Sequence, residues 1–282
     1  MLQFGLMESS AWHSGVLDPH GPVAGAERTI LLNATVIMLA VIVPVIVLTL
    51  VFAWWFRASN RHARYLPDWA YSGPMEIVVW SIPLLVVLFL SGIAWIGSHD
   101  LDPAKPLANE AAPLEVQVIS LDWKWLFIYP SLGIASVNRL PVPTATPLHL
   151  RLTSASVMNS FFIPQLGSQI YTMAGMVTKL NLQADRAGVY PGISAQFSGQ
   201  GFSDMRFDTV AMPQAEFEQW VAKTKSTKLV LNTASYAQLA QSGVVVDQAA
   251  YSSVTADLFS EVVNGSTMLT TTHTMHNAAV TH

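Results

Sequence analysis

The chain has no cysteine in its 282 residues. Disulfide staples are therefore excluded, and thiolate metal ligands with them. Charge is sparse, with a net of −4. Basic residues cluster in only one short loop, so nothing points to a nucleic-acid partner. Residues 1 to 15 hold neither Lys nor Arg and so lack the charged start of a signal peptide. The most telling absence lies between Thr29 and Phe56, 28 residues without a single Asp, Glu, Lys, Arg or His.

Of the residues from Ile30 to Phe56, 17 are Ile, Leu, Val or Phe. At roughly 0.3 to 0.6 kcal/mol each, they favour membrane insertion by up to about 5 to 10 kcal/mol. Pro44 falls in the middle, where neighbouring helices can supply the donor its ring removes. A second uncharged run, Ile77 to Ser98, is also long enough to cross a hydrocarbon layer of about 30 Å. The competing reading is a pair of buried core helices in a soluble protein. Arg57, Arg61, Arg64 and His62 lie between the runs, against Asp68 and Glu76. The outer flanks carry mostly acid: Glu8, Asp18 and Glu27 before, Asp100 and Asp102 after. The positive-inside bias places the connecting loop in the cytoplasm and both termini in the periplasm.

The segment LDPAKPLANEAAP, 101–113, is a semi-extended linker by composition. Beyond it LEVQVISLDWKWLF alternates apolar and polar residues, with one phase slip between Val118 and Ile119 that a bulge would produce. LHLRL at 148–152 and TKLNLQA at 178–184 repeat the period of two, so an antiparallel sandwich or barrel is expected. After Pro213, AEFEQWVAK puts Phe217, Trp220 and Val221 at helical spacing. YSSVTADLFSEVVN, 251–264, keeps enough apolar residues to dock, and the tail that ends in His273, Met275, His276 and His282 does not.

Four stretches carry a family likeness: EIVVWSIP at 76–83, LDWKWLFIYP at 121–130, VMNSFFIPQLGSQIYTMAGM at 157–176 and FSGQGFSDM at 197–205. In this order, after two apolar runs, the chain resembles subunit II of the haem–copper respiratory oxidases from about Leu17 to Phe259. The resemblance implies a two-helix transmembrane hairpin, then an all-β cupredoxin-like Greek-key domain and a short helical and disordered tail. The expected divisions are a periplasmic N-terminal segment 1–28 and a hairpin 29–100, with helices about 30–56 and 77–98 and a cytoplasmic loop 57–76. The linker 101–113, a copper-free cupredoxin-like domain 114–212, a helical segment 213–265 and a disordered tail 266–282 follow.

In the cytochrome c oxidase branch of that family this domain carries a dinuclear copper centre. Its ligand pattern falls here on Asn159, Phe197, Gly199, Gly201, Met205 and Asp208. One thioether beside an amide is too little for soft copper, so the set is degenerate. Phe197 is expected to fill the vacated volume, worth about 1.5 to 3 kcal/mol for a buried Phe. The branch without copper is the bo-type ubiquinol oxidases, which implies haems, copper and ubiquinol in the partner subunit I and no cofactor in this chain. It also implies subunit I, smaller oxidase subunits and lipid of the bacterial inner membrane as partners, and a place in proton-pumping aerobic respiration. That branch usually starts as a lipoprotein precursor with a cysteine just before the LDP stretch at Leu17. This chain departs there, which leaves anchoring by its helices alone or a start other than the native one.

The resemblance also gives Glu76 a role at the mouth of a proton channel; the plainer reading is an acid at a helix N-terminus, favoured by the macrodipole. Trp123 and Trp125 share one face of the expected strand and read as packing against subunit I or the membrane surface. Met158, Met173, Met176 and Met205 read as gap fillers, and His149 as solvent-facing. Two further readings stay open: a membrane-anchored copper carrier using the His/Met tail, and a tethered sensor without an enzyme.

Overall fold

The computed structural model describes residues 15–64, 66–109, 111–242 and 248–265. The tail 266–282, with its His/Met cluster, lies outside the described residues. The chain divides into two compact units, Glu27–Leu101 and the combination of Met1–Ala26 with Asp102–His282.

The first unit is a helical hairpin. Helix α1, Pro22–Trp55, begins eight residues earlier than expected because Pro22 suits the first helical position, where no N–H is needed. Gly21 ahead of it has no room for a side chain: a Cβ there would lie 2.2 Å from the carbonyl oxygen of Gln183. Helix α2, Gly73–Asp100, likewise starts early, with Pro74 in its first turn, which shortens the expected loop and puts Glu76 in the first helical turn. Half-buried positions recur at Ile30, Ala34, Ile37 and Val41 on α1 and at Val86, Leu90, Ile93 and Gly97 on α2, the spacing of a helix seam. A Cβ on Gly97 would come within 2.7 Å of Ile30 Cδ1, so the close approach depends on that glycine. Both helices are long and apolar enough to cross a membrane, and neither apolar stretch is buried by this chain. That disposes of the buried-core alternative.

The second unit is two packed sheets. The larger has the order β12-β3-β2-β1-β5-β8. Its strands are β1 (Leu114–Leu121), β2 (Lys124–Tyr129), β3 (Ile134–Val137), β5 (Leu148–Ser154), β8 (Thr178–Leu182) and β12 (Ala249–Tyr251). The other has the order β4-β10-β9-β6-β7. It comprises β4 (Arg139–Pro143), β6 (Asn159–Phe162), β7 (Ile170–Thr172), β9 (Gly188–Ser194) and β10 (Arg206–Met212). The sandwich is not wholly antiparallel, since β1 runs parallel to β5 and β4 to β10.

Two sequence expectations need correction. The run from Leu114 to Phe127 is a hairpin and not one strand: Leu121 pairs with Lys124 around a turn at Asp122 and Trp123. Nor is there a bulge at the phase slip, because β1 pairs continuously with both neighbours from Gln117 to Ser120. The slip arises because β1 is covered on both sides. Val116 and Val118 face the core between the sheets. Ile119 and Leu121 face a second core with Leu126 and Ile128.

That second core is built by the C-terminal segment, which is mixed and not simply helical. Helix α3 (Gln214–Lys225) sets Phe217 and Trp220 against Tyr129 at ring distances of 6.4 and 5.5 Å. After it come β11 (Val230–Leu231), α4 (Thr233–Leu239), β12, β13 (Ser253–Val254) and α5 (Leu258–Val263). Leu231, Tyr236, Leu239, Leu258, Phe259 and Val262 cover the outer face of the six-stranded sheet. Strand β12 extends that sheet beside β3, so the domain does not end at residue 212.

Candidate functional site

Asn159 opens β6 inside the sandwich, and its surroundings form a closed chain of neutral hydrogen bonds. Its amide donates to Ser120 Oγ at 3.3 Å and to the Val157 carbonyl at 3.2 Å. Ser120 Oγ lies 2.9 Å from Thr172 Oγ1, and the Thr172 hydroxyl reaches the Asn159 carbonyl at 3.3 Å. The Ser194 hydroxyl donates to Asn159 Oδ1 at 3.4 Å. All four side chains are buried. Buried polar groups are costly only when unpaired, and each of these has a partner. The arrangement contains no anion, and the amide oxygen already accepts from the Ser194 hydroxyl.

None of the other expected ligand positions is hydrogen-bonded to Asn159 through its side chain among the described residues. Met205 is buried, and its carbonyl accepts from Ser194 N at 3.1 Å. Asp208 lies on β10 between the inward-facing Phe207 and Thr209 and points out, where it accepts from Gln248 Nε2 at 2.9 Å. Phe197 is 73% exposed, with its ring 5.5 Å from Phe202. It is therefore not the buried filler that was expected. Soft copper calls for Cys or Met sulfur with imidazole, and one thioether among hydroxyls does not fit it. Among the described residues no group of three His, Asp or Glu could hold a metal ion.

The loop glycines have another partner. Gly199 is at φ +127°, and a Cβ there would meet Trp123 Cη2 at 2.5 Å. At Gly201 it would meet Trp123 Cγ at 2.5 Å. The indole of Trp123 thus lies directly on the backbone of the loop. Trp123 itself has φ 66°, rare for a bulky residue, and this packing holds it there. Gly201→Ala is expected to cost about 1–3 kcal/mol through overpacking. In a Trp123→Ala background the same substitution should cost much less, and urea midpoints of the four proteins measure the coupling. Additive costs would mean that the indole does not rest on this glycine.

The two tryptophans do not lie on one strand: Trp123 is in the turn between β1 and β2, and Trp125 is in β2. Trp125 is fully buried, edge-on to Phe161 at 5.2 Å and to Phe207 at 5.6 Å, and so cannot meet subunit I or the membrane. His149, expected in solvent, is partly buried and 2.8 Å from Asn181 Oδ1. Sequence reasoning missed Lys124, which looks like the polar half of an alternating strand. It is buried, and its ammonium donates to the carbonyls of Leu239 and Gln241 at 2.7 Å each, at the end of α4. Burial pushes its pKa below the usual lysine range, with the Asp122 carboxylate opposing. Glu76 is exposed on α2, where its Oε2 accepts from Trp80 Nε1 at 3.2 Å, one helical turn on.

The family "Cytochrome C oxidase subunit II, periplasmic domain" matches residues 131–212. Cytochrome bo(3) ubiquinol oxidase subunit 2 of Pseudomonas aeruginosa is 50% identical over 88% of this chain and 75% of its own length. Ubiquinol oxidase subunit 2 of Acetobacter aceti is 52% identical over 80% of this chain and 74% of its own. The chain belongs to the ubiquinol oxidase subunit 2 family. Among solved structures, the periplasmic domain of subunit II of cytochrome oxidase from Bradyrhizobium japonicum is 22% identical, covers 42% of this chain and 96% of that one, and has a TM-score of 0.39.

Proposed function

We propose that this chain is the non-redox subunit II of a proton-pumping ubiquinol oxidase of the bacterial inner membrane. Electrons pass from quinol to oxygen through the haems and copper of the partner subunit I, and none pass through this chain. The observation that carries the reading is the neutral network around Asn159, set in a chain about half identical to ubiquinol oxidase subunits over most of its length. The arginine-rich connection between α1 and α2 supports a cytoplasmic loop and periplasmic termini. In that orientation Glu76 stands on the side from which oxygen reduction draws its protons, and it serves as a proton antenna there. Subunit I, the smaller oxidase subunits and lipid are the partners. The copper-carrier reading is not favoured, because the relatives are oxidase subunits.

Purification of the chain in mild detergent from its native membrane tests this. A large polypeptide with a haem absorption spectrum and ubiquinol oxidase activity should come with it, and a haem-free preparation would refute the reading. The β domain should also bind no copper above background. Metal analysis of a fragment spanning residues 102–265, which keeps β12 and the second core, checks this; stoichiometric copper with thiolate-like visible bands would overturn it.

A further inference from the structure

The connection that leaves α1, RASNRHAR at 57–64, has almost nothing apolar to bury, yet it is folded against the helix end. Asn60 organises it. Its side-chain amide donates to the Trp55 carbonyl at 2.7 Å, one of the last carbonyls that a helix leaves open. The amide oxygen accepts from His62 N at 3.1 Å. On the main chain, Asn60 N donates to the Arg57 carbonyl at 2.9 Å, and the Asn60 carbonyl accepts from Ala63 N at 3.4 Å, which makes two successive turns. An asparagine can hold such a fold because its short side chain stands in for backbone partners. Arg57, Arg61 and Arg64 are therefore kept beside the end of α1.

This chain does not neutralise them. All three are exposed, and among the described residues no acid lies within ion-pair distance of any of them. The Arg57 guanidinium lies 5.3 Å from the ring centre of Trp54. Stacked in this way it keeps its N–H edge free, and that edge matches two oxygens of a phosphate. Trp54 and Trp55 before the loop, and Trp69 and Tyr71 after it, are exposed. Tryptophan and tyrosine collect at the level of lipid headgroups, so the arginines stand where lipid phosphates are fixed. A zwitterionic headgroup brings its own cation. An anionic one complements three uncompensated positive charges.

We propose that residues 54–64 form a site for an anionic phospholipid, whose phosphate accepts hydrogen bonds from Arg57, Arg61 and Arg64 while Trp54 and Trp55 flank its glycerol. The site rests on the membrane hairpin of the proposed function but not on the oxidase chemistry, and it holds whichever side the loop faces. The test places the complex, purified in mild detergent, in phosphatidylcholine vesicles with a small share of diazirine-labelled phosphatidylglycerol or, in parallel, of equally labelled phosphatidylcholine. After irradiation, adducts on peptide 54–64 should be severalfold more abundant with phosphatidylglycerol. Arg57→Gln, Arg61→Gln and Arg64→Gln should each cut that excess by up to about fivefold. Arg28→Gln, at the other end of α1, should not change it. Asn60→Ala keeps every charge but frees the loop, and should also reduce the excess. Equal labelling by the two lipids, or full labelling of the triple arginine variant, overturns the proposal. Full labelling of Asn60→Ala does so too, since it would leave loose charge in place of a folded site. Loss of adducts on adding inorganic phosphate would mean an ion site and not a lipid site. Wild-type chain washed from the vesicles by alkaline carbonate would instead sink the hairpin reading.

Discussion

Trp125→Ala is expected to destabilise the β domain by about 3–5 kcal/mol, the range for removing a large aromatic from a closed core. The indole meets Phe161 edge-on at 5.2 Å and Phe207 at 5.6 Å, while those two rings stack on each other at 4.8 Å. Alanine would leave a cavity that these two rings, held on β6 and β10 of the facing sheet, cannot collapse to fill. The loss is one of packing and not of hydrogen bonding, because the buried indole Nε1 has no partner among the described residues. Trp125→Phe should therefore retain much of the stability: it gives up volume but also removes an unsatisfied donor. Trp123→Ala should cost less than Trp125→Ala, since that side chain is only half-buried over the loop. Urea unfolding of fragment 102–265 would rank the three. If Trp125→Ala unfolds at the wild-type midpoint, the aromatic cluster is not what holds the two sheets together.

How far the sequence could be read depended on whether its pattern was local. The two long apolar helices were legible because hydrophobicity alone decides them; only their starts were misplaced, since Pro22 and Pro74 lie outside the apolar runs but suit the first turn of a helix. The hairpin at Asp122 and Trp123 was illegible because Trp is a poor turn former, and its left-handed conformation depends on glycines more than seventy residues away. Lys124 was misread for a similar reason: a lysine in an alternating strand faces water unless a distant helix end covers it, as α4 does here. At Asn159 the sequence offered a position but not its surroundings. Ser120, Thr172 and Ser194 are ordinary residues on three different strands, and only the packing of the two sheets brings them to Asn159. Phe197 misled because an aromatic near a vacated site suggests filling, whereas its loop is turned by Gly199 and Gly201 so that the ring points outward.

Within the proposed function, Glu76→Gln and Glu76→Ala are expected to slow quinol oxidase turnover severalfold or more. That corresponds to about 1 to 3 kcal/mol on the barrier. Oxygen reduction consumes protons from the cytoplasmic side, and a carboxylate at that end of α2 can collect them from water and pass them inward. Glu76 is the only acid between Asp68 and Asp100, so no neighbour on the helix can replace it. Water can still reach the entrance, so the loss is partial. Glu76→Asp keeps the charge on a shorter arm and should retain more activity than either neutral variant. Trp80 adds a control: Trp80→Phe removes the 3.2 Å hydrogen bond but leaves the carboxylate, so it should perturb turnover less than Glu76→Gln. Haem content and subunit composition must be normal in every variant, which separates proton delivery from assembly. Stopped-flow spectra should place the delay in reduction of the oxygen-binding haem and copper site. A delay in quinol oxidation, or wild-type turnover by assembled Glu76→Ala enzyme, would leave Glu76 as no more than a charge favoured by the helix dipole.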